Sequence, residues 1–161
     1  MKAGRLTARI LTSGVAAAAA SAAAALACSH HENGHAARPI NAITHIYDGG
    51  PPPAHDGANG RNTALGLAIH TGACIFWAMF YEPLFGRRSR PVAIGGAAAV
   101  AATAYFVDYY VVHRRFRPGI EEYLSDRSLF AVYAALAAGY AAAAILRRRR
   151  RRAGRRTAVP A

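Results

Sequence analysis

"PVAIGGAAAVAATAYFVDYYVV", residues 91–112, decides the fold. It holds 22 residues with one charged side chain, Asp108. At about 1.5 Å per residue a helix of this length covers about 33 Å, enough to cross a hydrocarbon core of about 30 Å. Lipid offers no partner for open backbone groups, so an isolated span of this kind must be helical. Asp108 is the only acid between Glu82 and Glu121. A carboxylate in such a run needs a partner or a task.

Three further runs share the pattern, at residues 10–28, 64–85 and 128–146, each of 19 to 22 residues. The stretches between them are charged or rich in Gly and Pro. The expected fold class is therefore all-α, a single integral membrane four-helix bundle over residues 1–161. Loops are expected at 29–63 and 113–127, with a basic tail at 147–161. Charged residues make 17% of the chain, below the roughly 25% of soluble domains. Residues 1–27 also fit a cleaved secretory signal, with Ala25-Leu26-Ala27 before Cys28, so a retained first helix and a processed one both stay open.

Nineteen arginines, one lysine and eight acids give a net charge of +12. The Arg, Ala and Gly bias points to a GC-rich bacterial genome, and hence to the bacterial inner membrane. Eight of the twenty basic residues lie in "RRRRRRAGRR", straight after an apolar run. That placement favours anionic phospholipid over nucleic acid as the partner. With the N-terminus inside, fourteen Lys and Arg face the cytoplasm and six face outward. The positive-inside rule then puts both termini in the cytoplasm.

In this orientation His70 and Asp108 lie at similar depth below the outer surface, about 9 Å and about 6 Å by helical rise. Helical periodicity puts Asp108 on a face with Ala97, Ala101 and Ala104, opposite Val92, Phe106 and Tyr110. It puts His70 with Gly66, Cys74, Trp77 and Tyr81, opposite Ile75 and Met79. Both polar residues should therefore face the bundle, and a His70–Asp108 hydrogen bond is expected. A histidine beside a carboxylate can handle protons or a ligand, and it can equally act as an interhelical clasp. The wider outer-side polar cluster is Asn41, His45, His70, Asp108, His113 and Arg115.

"CSHHENGH" offers Cys28, His30, His31 and His35 as weak metal candidates in a mobile-looking segment, and no cofactor is expected. Cys74 reads as a packing residue. Glu82 should pair with the nearby Arg87, Arg88 or Arg90, and Glu121 or Glu122 with Arg114, Arg115 or Arg117. Ser125 and Ser128 should cap the last helix. No phosphate loop, nucleophile elbow or metalloprotease motif occurs, so an enzyme is the less favoured reading. The leading expectation is a structural or partner-binding membrane component, with a homo-oligomer or protein partner. The alternative is a binding or transport protein for protons, metal ion or small solute.

"ARPINAITHIYDGG", "FWAMFYE" and "FVDYYVVHRRFRPGIE" together resemble a type of small bacterial multi-pass inner-membrane protein that carries no assigned activity. The matching positions are Asn41, Thr44, His45, His70, Trp77, Asp108, Tyr109, Arg115 and Pro118, within residues 38–146. The resemblance implies the four-helix fold and leaves activity open.

Overall fold

A computed structural model describes residues 3–156. These residues form α1 (Ala3–Asn33), α2 (Arg38–Ala42), α3 (His45–Asp48), α4 (Gly60–Leu84), α5 (Arg90–Phe106) and α6 (Asp126–Arg156). The described chain is all-helical, and four of its helices are long and apolar enough to cross a membrane. α5 continues through a π-helical turn at Val107–Val111. Two 3-10 turns, Arg114–Phe116 and Ile120–Glu122, lead to α6.

The helices outrun the apolar segments because their ends are set by caps rather than by hydropathy. α1 passes through Cys28 and stops at Gly34, whose φ of 76° and bond to the His30 carbonyl end the helix in the left-handed form. Asn59 caps α4 by accepting from the Asn62 amide at 2.7 Å. Ser125 caps α6 by accepting from the Ser128 amide at 3.3 Å. The Glu32 carboxylate reaches across from α1 to accept from both the Ser125 and Ser128 hydroxyls. α6 then runs through the arginines, which are good helix formers, to Arg156. The expected basic tail is thus mostly helix, and residues 157–161 lie outside the described residues.

α1 packs along α4 and α6, and α5 closes the ring against α6 and α4. The core between them is largely alanine: Ala17, Ala78, Ala93, Ala97 and Ala104 are all at most 1% exposed. Small residues let helix backbones approach closely, which is how helices hold together in lipid. At Gly139 of α6 a Cβ would stand 2.5 Å from the Ala17 Cα, so this crossing admits only glycine. Tyr81 and Tyr140 stack inside the bundle, with hydroxyls donating to the Ala93 and Cys74 carbonyls. Phe76, Met79, Phe80, Phe106 and Phe130 are exposed around the outside, an apolar belt that suits lipid. The expected outward residues Val92, Phe106, Tyr110 and Met79 are all exposed. Ile75 is an exception, half-buried because α1 crosses it at Gly14.

The two ends of the bundle differ. At one end α1 and α5 begin and α4 and α6 finish, and Glu82 is fully buried there. Among the described residues the ion pairs of Glu82 are with Arg9 and Arg147, rather than with the Arg87, Arg88 or Arg90 that the sequence led one to expect. Its Oε1 accepts from Ser13 Oγ at 2.5 Å and from Arg147. Arg9 Nη2 lies 2.7 Å from Oε2 in an ion contact without hydrogen-bond alignment. The reason is geometric: Glu82 lies on the inward face of α4, so its carboxylate meets α1 and α6 rather than the following turn.

At the other end, the segment 34–59 is not the open loop its Gly and Pro content implies. Residues 39–45 are all buried, with Ile40, Asn41 and Thr44 at most 1% exposed. They form a plug over the helix ends. A Cβ on Gly66 would stand 2.0 Å from the Ile40 carbonyl oxygen, which shows how closely α2 rests on α4. Asn41 fastens the irregular part, donating to the His55 and Gly57 carbonyls and accepting from Thr63. Two surface ion pairs complete the attachment, Arg38–Asp56 at 2.5 Å and Arg61–Asp48 at 2.5 Å. Among the described residues no ion pair joins Glu121 or Glu122 to Arg114, Arg115 or Arg117.

A hydrogen bond from Arg38 holds the Asp56 carboxyl below its ordinary value, and one from Arg61 does the same for Asp48. A carboxylate lowered in the folded state stabilises it above the unfolded value and loses that contribution as pH falls through the folded value. The loop attachment should therefore loosen below about pH 4. Amide exchange of residues 49–59, compared at pH 6 and pH 3 after correction for intrinsic rates, should show lower protection at pH 3 in this segment.

Candidate ligand cavity beneath the plug

Asp108 lies in the π turn, where the Val112 amide bonds to the Val107 carbonyl at 2.9 Å. Such turns widen the helix by one residue and occur often at functional sites. Here the turn follows Ala104, buried at 1% exposure, so the Ala97, Ala101, Ala104 stripe ends on an inward carboxylate. Asp108 Oδ2 accepts from Tyr133 of α6 at 2.7 Å. Tyr133 in turn packs with Tyr105 and Tyr109 as an aromatic cluster.

His70 faces the bundle from α4. Its Nε2 lies 2.9 Å from Ser21 Oγ of α1 and 3.8 Å from Cys74 Sγ. Ser21 Oγ also stands 2.8 Å from the Ala17 carbonyl, so the hydroxyl is shared between the α1 backbone and the His70 ring. The tautomer of His70 sets which of the two donates. The expected His70–Asp108 hydrogen bond is not formed among the described residues; each has a partner on another helix. Both face one cavity instead of each other.

That cavity has a volume of about 120 Å³. Ser21, His70, Cys74, Asp108 and Tyr133 supply its polar atoms. Ile69, Trp77 and Leu136 form apolar walls, and Ile43, Phe116 and Ile120 close it from the plug and the 113–122 segment. All four long helices contribute. At about 10–15 Å³ per water this space takes several waters, and a dry cavity of similar size binds a benzene-sized molecule.

The other sequence candidates lie elsewhere. Asn41 and His45 are buried in the plug, where His45 Nδ1 bonds the Ala42 carbonyl at 2.8 Å. They shape the roof and do not line the cavity. His113 and Arg115 are exposed on the first 3-10 turn, joined by an Arg115 amide bond to His113 Nδ1. His30 and His31 are exposed on the last turn of α1, and His35 sits 3.8 Å from Asp56. Among the described residues no group of three His, Cys, Asp or Glu side chains is placed to hold a metal ion.

Sequence reasoning missed Ser21 and Tyr133. Ser21 stood in an alanine run with nothing to mark it. The spacing of Tyr133 to Leu136 and Tyr140 on one helix face was the available signal. No family model, curated protein or solved structure matches the chain, so its own geometry carries the functional reading.

Proposed function

We propose that this is a four-pass protein of the bacterial inner membrane, with both termini cytoplasmic, that binds a small amphipathic molecule in the outer half of the membrane. The observation that supports this most is the cavity itself: apolar walls from α4, α5 and α6 meet one imidazole and one carboxylate beneath a built roof. A site with mostly apolar lining and a few convergent polar groups is what small-ligand recognition requires. Asp108 selects for a ligand group that donates a hydrogen bond, and Trp77, Ile69 and Leu136 take its apolar body. Retention of α1 fits the same reading, because Ser21 holds His70 in place. The positive-inside bias puts the arginine-rich end in the cytoplasm and the plug outside.

Trp77 is the single tryptophan and lines the cavity, so its emission reports occupancy. Benzylamine, benzyl alcohol and toluene titrated into the detergent-purified protein should give saturable changes, with the two donor-bearing probes the tighter. Asp108→Asn should weaken benzylamine by about tenfold to a hundredfold, the worth of a charge-assisted hydrogen bond. Ala73→Leu, which adds bulk at an exposed position of the cavity lining, should weaken all three. No saturable response to any probe, or equal responses in both variants, would sink the ligand reading. It would return His70 and Asp108 to the role of clasps in a structural or partner-binding component.

A further inference from the structure

The arginine-rich end carries a second recess, unrelated to the ligand cavity. Arg9 of α1, Arg87 and Ser89 of the α4–α5 turn, and Arg147, Arg148 and Arg151 of α6 surround a cavity of about 250 Å³. A second cavity of about 240 Å³ adjoins it, lined by Arg90 and Arg149 and sharing Ser89 and Arg148 with the first. Glu82, buried at the base, is the acid paired with Arg9 and Arg147. Among the described residues, five guanidinium groups line the first cavity and one carboxylate lies beside them, a formal charge of +4, five minus one.

Three elements distant in sequence thus bring like charges together, at a cost in repulsion that an anion would offset. Glu82 holds Arg9 and Arg147 in fixed positions, so the recess is built rather than being a loose tail. The N-terminus of α5 opens onto the same place. Ser89 makes no side-chain cap bond, which leaves the first-turn amides of a 17-residue helix without that partner. Those amides and the helix dipole favour negative charge. Arginine suits phosphate in particular, because its planar fork bonds two oxygens at once.

We propose that this end binds phosphate groups, and that the two adjoining cavities take a headgroup carrying two phosphates on an anionic lipid. The lipid source rests on the membrane reading above and on basic recesses between spanning helices being headgroup sites. The phosphate chemistry rests on the arginines alone. The inference is independent of the small-ligand cavity and fails or stands separately from it.

The test uses the full-length protein in neutral detergent. Retention of a two-phosphate diphosphatidylglycerol lipid, of single-phosphate phosphatidylglycerol and of zwitterionic phosphatidylcholine is read by native mass spectrometry. Thermal protection by inorganic pyrophosphate is read in parallel. Arg148→Gln combined with Arg151→Gln removes two arginines that do not hold Glu82. Arg127→Gln at the opposite end is the control. Wild type and control should retain the two-phosphate lipid at least about tenfold better than the double variant does, with retention falling as salt rises. Protection by pyrophosphate, lost in the double variant, with no lipid preference would support the phosphate site and overturn its lipid occupant. Equal retention by all three proteins, or no preference for phosphate-bearing lipid and no pyrophosphate effect, would overturn the site.

Discussion

Glu82→Ala should cost about 3–5 kcal/mol of stability, the largest effect expected of any single substitution in this chain. Glu82 has no exposed surface, and Arg9 is buried beside it at 8% exposure. Removing the carboxylate leaves Arg9 and Arg147 facing each other and takes from the Ser13 hydroxyl the acceptor of its proton. Replacing one partner of a buried charge cluster exposes the desolvation cost of the others, whereas replacing all of them with apolar residues of similar size removes that cost. The triple variant Arg9→Met, Glu82→Leu, Arg147→Met should therefore regain most of the loss. Equilibrium unfolding in mixed micelles, followed by far-ultraviolet circular dichroism, would measure both. If the single variant unfolds at the wild-type midpoint, Glu82 does not tie α1, α4 and α6 together.

Gly66→Ala should be the second largest, at roughly 1–3 kcal/mol, the usual range for forcing atoms into a packed site. The added methyl would meet the Ile40 carbonyl oxygen, a backbone atom that moves only if the plug moves. The cost should fall on the plug, so amide exchange in residues 38–48 should accelerate while the Glu82 end keeps its protection. Because Ile43 and Ile46 close the cavity, Trp77 emission should also shift to longer wavelength as water enters. Gly72→Ala is the matched control: nothing lies within 4 Å of its Cβ position, and alanine favours a helix. It should be neutral or slightly stabilising. Equal effects at the two glycines would mean that α2 does not rest on α4.

Much of the helical layout was legible in the sequence. Run length and hydropathy found the four long helices, and a 100° period sorted the faces of α4 and α5 with Ile75 as the exception. Ser125 announced the start of α6. These features are local: each depends on residues within a turn or two of one another. Cap positions, rather than hydropathy, moved the ends, which is why α1 and α6 exceed their apolar runs.

The candidate site was half legible. His70 and Asp108 stood out because a polar side chain in an apolar run demands a partner. Which partner it takes was not readable. Ser21 is 49 residues from His70, and Tyr133 is 25 from Asp108. Glu82 took Ser13 and Arg147, at separations of 69 and 65, over arginines in the adjoining turn. Helix rotation and crossing position decide such pairings, and no local pattern encodes either. The plug was hidden for a related reason: "PINAITH" is too short to show a period, and its burial depends on α4 offering a glycine at 66. By itself, then, the sequence determined four apolar helices, the inward faces of α4 and α5 and the charge imbalance between the two ends. Only the tertiary structure decided that the polar residues meet across helices rather than along the chain, and that in doing so they frame one cavity under a plug and one recess among arginines.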